Sequence, residues 1–183
     1  PDHVEIGCSD GQAPADLDMV RERLIAPLLA APQPDDIARI MECAKSDGSF
    51  AGVDYADTNR GTWKTCEHLS HALLLARAYA SPKSTDHGDR RVRDTALAAI
   101  DYWCDKDFIN SNWWWNEIGA PGRMADCLLL LDSDLSDSQR AKGLAILERA
   151  KIRMTGANLV DVAYITVKRG IIERDARLVA EAV

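Results

Sequence analysis

Three tryptophans stand side by side in the segment Asn112-Trp113-Trp114-Trp115-Asn116-Glu117. Neighbouring side chains fan out by about 100° on a helix and alternate on a strand, so the three cannot all enter one core. At least one is expected to be exposed or to line a cleft. Flat indole rings in a cleft stack well on the apolar faces of sugar rings, and the flanking Asn112 and Glu117 offer partners for hydroxyls. The plainer arrangement has two tryptophans packed inward and the third covering a neighbouring helix. Three in a row between polar residues favour the cleft.

A second candidate is Gly156-Ala157-Asn158-Leu159-Val160-Asp161. Position alone makes Asn158 an N-cap for orphan amide donors at the start of a helix, and taken by itself that is the stronger reading. The functional reading is an amide at a helix mouth, aimed at a substrate carboxylate where the helix dipole favours negative charge. His68 and His71, one turn apart, could form half a metal site. No cysteine or carboxylate completes it convincingly beside the adjacent Glu67, so satisfied or surface histidines are expected and no metal. His3 and His87 fall in loops. The acidic positions Asp47, Asp54 and Asp57 lack the ligand spacing and bidentate Glu of an EF-hand, and a capping or solvated role is expected. GxGxxG, GxxxxGK[ST], HExxH and GxSxG are all absent. Paired catalytic carboxylates are not assignable from sequence, which leaves a glycoside hydrolase open.

A chain of 183 residues suits one domain with a sizeable core. Hydrophobic residues at 46% and charged residues at 28% are ordinary for a soluble globular protein. No apolar run approaches the roughly 18 residues of a membrane span. The net charge of −7 argues against nucleic acid, which requires clustered Lys and Arg. It also gives no long-range attraction for an acidic polymer, so local groups must hold one. The cysteines Cys8, Cys43, Cys66, Cys104 and Cys127 form no CxxC pair, which argues against zinc. Buried apolar thiols are expected, with one or two disulfides open if the protein is secreted. The chain starts at Pro1 without an apolar leader and ends in a stretch that still reads as helix. A removed leader or a longer parent, with truncation at the C-terminal end, is therefore expected.

These residues need elements to position them. Residues 1–14, with Gly7, Gly11 and Pro14, read as an irregular lead-in. Leu17, Val20, Leu24 and Leu28 fall at helical spacing, and Pro27 should kink or end that helix. Asp35 is the expected N-cap for a helix over 36–45. Residues 46–60 carry glycines, aspartates and almost no helical period, and read as a long loop. A helix follows to about Tyr79, closed by Pro82, and the turn 84–89 leads into one with the stripe Val92, Ala96, Ala99 and Trp103. After a loop at 106–112 comes a helix through 128–131. Asp134 or Ser136 caps the next, which should stop at Thr155-Gly156 on a left-handed glycine. The last pair, 159–168 and 173–183, is expected to split at Gly170. No strand is expected. Helices joined by short turns suit antiparallel hairpins stacked in an arc or ring, although a bundle or solenoid would read much the same. No repeat decides between them.

The segment from Asn112 to Glu117, continued by Ile118-Gly119-Ala120-Pro121, resembles the NWWxxEIGxP signature of polysaccharide lyase family 8. That family includes hyaluronate, chondroitin AC and xanthan lyases and some members acting on mannuronan. Asp47-Gly48-Ser49-Phe50, Asp54-Tyr55, His68-Leu69, Ala78-Tyr79 with Pro82, Gly88-Asp89 and Asp101-Tyr102-Trp103 follow in the family's order, and Gly156-Ala157-Asn158 resembles its GAN segment. The resemblance implies an all-α fold of antiparallel helical hairpins forming part of an incomplete (α/α) toroid. That part spans 15–183, and large β-sandwich domains follow it in complete members. It implies cofactor-free β-elimination at a uronic acid of an extracellular acidic polysaccharide, carried out by a monomer. In that chemistry an Asn amide neutralises the carboxylate and acidifies the C5 proton, and preorganised donors stabilise the developing charge. Tyr and His handle the protons with help from an Arg. Asn158 matches the Asn, and Trp113 and Trp114 match the patch that positions the polymer, with Asn112 and Trp115 beside them. Two positions depart from the pattern: Trp115 replaces a polar residue and Gly122 replaces Arg or Gln, and both bear on which sugar is accepted. The family's His, Tyr and Arg lie beyond its GAN segment and match nothing here, so this chain alone is expected to be catalytically incomplete. A non-catalytic carbohydrate-binding helical module and a glycoside hydrolase on an (α/α) scaffold are the rival classes.

Overall fold

A computed structural model describes residues 12–182. Eight α-helices carry the described chain: α1 Gln12–Ile25, α2 Pro34–Cys43, α3 Glu67–Ala80, α4 Arg90–Lys106, α5 Ala120–Leu131, α6 Asp137–Leu147, α7 Gly156–Glu173 and α8 Ala176–Glu181. Among the described residues no strand forms, and the single isolated bridge joins Ala44 to Phe50. No described helix is long and apolar enough to cross a membrane.

Helices α3 and α4 form an antiparallel hairpin. His68, at the start of α3, bonds the Ala99 carbonyl in the second half of α4, and Gly88, just before α4, bonds the Tyr79 carbonyl at the end of α3. The next hairpin repeats the direction of the first. Arg123 in α5 reaches Ser70 in α3, and Asp134 just past α5 reaches Tyr79, so α5 runs parallel to α3. Asp101 and Asp105 of α4 pair in the same order with Gln139 and Lys142 of α6. Helix α7 then lies parallel to α5, with Asp126 bonded to Lys168. One layer is therefore α3, α5 and α7, all pointing the same way, and the other holds α4 and α6 returning. This is the layering of an (α/α) toroid. Helix α1 crosses the far ends of α5 and α7, where Arg21 meets the Leu129 carbonyl and Asp132, and Asp18 meets Arg174.

The core lies between the layers. Leu69, Ala72, Leu75 and Ala76 of α3 pack with Val92, Ala96, Ala99, Ile100 and Trp103 of α4 and Met124, Leu128 and Leu131 of α5, all essentially buried. The stripe expected on α4 is thus the buried one. Gly143 lets α6 approach α5, because a Cβ there would sit 2.8 Å from the methyls of Leu128.

Several boundaries differ from the sequence-based expectation. Helix α1 already includes residues 12–14 of the expected lead-in; residues 1–11, Cys8 among them, lie outside the described residues. It ends at Ile25, and a 3-10 turn Ala26–Leu29 accommodates Pro27 as expected. Asp35 is not the N-cap of α2. Pro34 occupies the first turn, Gln33 precedes it, and Asp35 and Asp36 act on the helix dipole instead. Ser136 caps α6, with Gln139 completing a capping box. Helix α6 stops at Leu147, and Gly156 (φ +62°) opens α7 rather than closing α6. Gly170 does not break α7. A Cβ there would meet Val179 at 2.8 Å, so the glycine lets α8 pack close, and the chain turns at Arg174 (φ 55°).

Candidate substrate-positioning site

The start of every helix in the parallel layer falls at one end of the molecule. The long loop before α3, the tryptophan segment before α5 and Asn158 at the mouth of α7 are therefore neighbours. The loop is held by its own carboxylates. Asp47 accepts from the Ser49 amide and hydroxyl, Asp54 from the Ala56 amide, and Asp57 from the Asn59 and Lys64 amides. Those bonds hold Asp47 and Asp57 below the usual carboxylate range. The capping role expected of these aspartates is the one observed.

Asparagines clasp the loop to the tryptophan segment. Asn110 and Asn116 exchange bonds, amide N–H to Oδ1 at 2.9 Å and Nδ2 to carbonyl at 2.7 Å. Asn112 accepts from the Trp114 amide at 3.1 Å and donates to the Arg60 carbonyl at 2.8 Å, which also accepts from Trp115 Nε1 at 3.1 Å. Asn112 thus anchors the platform with both ends of its amide. The helix widens to a π-turn over Trp115–Gly119, a device frequent at functional sites.

The three indoles then separate by role. Trp113 is 47% exposed, which meets the expectation that one would be. Trp114 is half-buried and lines a groove, edge-on to Trp115 at 5.0 Å between ring centroids. Trp115 is packed on buried Trp63 at 6.0 Å, with the Arg123 guanidinium 5.9 Å from its ring centre. Gly119 is required beneath them, since a Cβ would lie 2.7 Å from Trp115 and 2.8 Å from Trp114.

The groove, about 230 Å³, runs between the tryptophan segment and α7. Asp161, Tyr164, Ile165 and Lys168 line its α7 side. Asn158 precedes Asp161 by one turn on the same face. Its N-cap reading is corrected: Thr155 is the N-cap, and Asn158 is half-buried on the first turn of α7 with its amide not used for capping. Glu117 of the π-turn receives Arg153, just ahead of α7, on both carboxylate oxygens at 2.7 Å. That pair ties the aromatic platform to the segment leading to Asn158.

His68 lies beneath the loop. It is fully buried, its Nε2–H donates to the Ala99 carbonyl, and its Nδ1 accepts from the Tyr55 hydroxyl, which itself accepts from the Phe50 amide. Burial pushes its pKa down to about 4, so the ring is neutral. It is a satisfied core histidine, as expected. No group of three metal-binding side chains occurs among the described residues. Cys43, Cys66, Cys104 and Cys127 are free thiols. Burial pushes Cys66 up to about 11 and Cys104 up to about 12.

Sequence reasoning missed the Asn110–Asn116 clasp, the Arg60 carbonyl and the Tyr164 side of the groove. The last was recoverable, because Asp161, Ile165 and Lys168 follow Asn158 at helical spacing. The Arg60 contact was not, because a backbone carbonyl leaves no trace in residue type.

A helical two-layer arc with exposed and groove-lining indoles at adjacent helix mouths defines part of an (α/α) toroid. The sequence pattern of the N-terminal alpha-helical domain of polysaccharide lyase family 8 matches residues 29–183. The chain belongs to that family. Chondroitinase-AC of Pedobacter heparinus is 32% identical over 141 residues, covering 75% of this chain and 20% of that protein. A solved chondroitinase AC lyase, studied in oligosaccharide complexes, superposes with a TM-score of 0.82 at 26% identity over 91% of this chain and 26% of that one. Paenibacillus xanthan lyase shares the fold at a TM-score of 0.71 and 21% identity, over 93% of this chain and 19% of its own. The chain thus spans between about a fifth and a quarter of the length of these relatives.

Proposed function

We propose that this chain is the substrate-positioning part of a lyase that cleaves a uronic-acid-containing polysaccharide by β-elimination. The observation that carries the reading is the placing of the exposed Trp113, the groove-lining Trp114 and the mouth of α7 at one end of the parallel layer. The indoles bind and orient the sugar chain, with Asn112 and Trp115 fixing the platform from behind. Asn158 donates to the uronate carboxylate, assisted by the positive end of α7, and so lowers the cost of removing the C5 proton. Proton removal and leaving-group protonation are assigned to no residue of this chain. No step in this scheme calls for a cofactor. Its substrates, polymers of the hyaluronan, chondroitin, xanthan or mannuronan type, are extracellular, and we place the enzyme there as a secreted monomer.

The test uses the complete gene product on each of these polymers and follows the ultraviolet absorbance of the unsaturated uronate product. Asn158→Ala is expected to lower kcat on the order of 100-fold or more, as loss of a charge-stabilising donor does. Unchanged turnover in that variant would remove Asn158 from the mechanism. Products without a 4,5-double bond would mark a hydrolase, and binding without turnover a carbohydrate-binding module.

A further inference from the structure

Helices α5, α6 and α7, with the π-turn that leads into α5, contain glycines whose reasons differ. Gly119, Gly143 and Gly170 each face an atom that an added Cβ would approach to within 2.8 Å. Gly122 does not. Its nearest neighbour would be Ile165 Cδ1 at 3.8 Å, an ordinary contact, and its φ is not positive. It also lies well inside a continuous helical stretch, where glycine weakens the helix relative to alanine. Neither backbone nor packing requires glycine at this place. What its missing side chain does create is open space, because Gly122 lines the groove opposite Ile165.

We infer that Gly122 is a specificity-determining residue that keeps this groove open for one uncharged sugar residue of the bound polymer. The inference rests on the lyase reading above. Trp114, Ile118 and Ile165 give the groove apolar walls for the C–H face of a ring, and Tyr164, 45% exposed, stands on its α7 side. Its cations are already engaged. Lys168 is paired with Asp126 and sits 4.0 Å over the Tyr164 ring, while Arg123 bonds Ser70 and the Gly119 carbonyl. Asp161 adds a carboxylate to the lining. Such a groove disfavours a sulfate or a second carboxylate and suits hydroxyl or acetamido groups, which can donate to Asp161. The uronate carboxylate goes to Asn158, and the neutral sugar beside it goes here.

The test compares Gly122→Ala and Gly122→Leu with wild type in the complete gene product. Sulfated and unsulfated uronate–hexosamine oligosaccharides serve as substrates, and melting temperature is recorded in parallel. Gly122→Ala is expected to raise the melting temperature while raising KM for unsulfated substrate, a split that a structural glycine would not show. Gly122→Leu is expected to raise KM about tenfold or more with kcat nearly unchanged. Wild type is expected to prefer the unsulfated substrate, and Gly122→Leu to lose that preference. An active wild type whose KM is the same as that of Gly122→Leu would overturn the inference and leave the lyase reading standing. A wild type that forms no unsaturated product would instead overturn the reading on which the inference rests.

Discussion

Gly119 shows how narrowly the platform is built. Both indole rings that flank it lie closer than any Cβ tolerates, at 2.7 Å for Trp115 and 2.8 Å for Trp114. Gly119→Ala should therefore displace Trp114 or Trp115. We expect a stability loss of about 1–3 kcal/mol, typical of overpacking, together with weaker oligosaccharide binding and a shifted tryptophan emission. Urea unfolding and fluorescence titration check the two parts separately. His68 makes a second prediction at this scale. The unfolded chain takes up a proton on it near the ordinary value of 6.5, whereas the folded chain does so only near 4. Stability from the neutral ring is thus complete above about pH 6.5 and is lost as pH falls toward 4, by roughly 3 kcal/mol in all. Melting temperature measured across that window should slope downward in wild type and more weakly in His68→Gln. Equal slopes would show that other groups govern the acid limb. Both residues were visible in the sequence only as types. The tryptophan run pointed to a sugar platform, but its division into exposed, groove-lining and packed rings depends on the Arg60 carbonyl and on Trp63.

Among the elements, hydrophobic period located the helices, while single punctuating residues misled where packing or a turn with two readings set the boundary. The stripe of α4, the Ser136 cap and the long loop before α3 all follow from local chemistry. Gly170 does not, because its glycine answers to α8 packing across it. Gly156 opens α7 in a left-handed conformation, whereas α6 has already ended at Leu147, and a left-handed glycine by itself does not tell a helix start from a helix end. The element that connects the two halves of the site is the Glu117–Arg153 pair, which spans from the π-turn to the approach of α7. Arg153 is largely exposed, so the pair contributes only about 1 kcal/mol or less to folding. Its effect should appear instead in the position of Asn158 relative to the platform. Glu117→Arg is expected to lower kcat several-fold with little change in melting temperature, and the reversed pair Glu117→Arg with Arg153→Glu to restore most of it. Failure of the reversed pair to recover activity, in a protein that still melts normally, would separate the salt bridge from the catalytic geometry.

At the scale of the molecule, charge and architecture oppose each other. The chain carries a net charge of −7, which repels an acidic polymer at long range. The parallel layer, however, directs the starts of α3, α5 and α7 to one end, and each helix start carries partial positive charge that acts only within about a turn. Attraction is therefore local and repulsion diffuse, and salt separates them by range. Raising ionic strength from about 0.01 M to 0.15 M shortens the screening length from roughly 30 Å to roughly 8 Å. Repulsion between the approaching polymer and the acidic surface should fade, while contacts at the helix mouths, made at hydrogen-bond distance, should be largely retained. Association of a uronate oligosaccharide with this chain, followed by stopped-flow tryptophan fluorescence, is expected to become faster as salt increases, with little change in dissociation. Slower association with added salt would mean that a positive surface steers the polymer, and the site would then have to draw on basic groups outside the groove described for this chain.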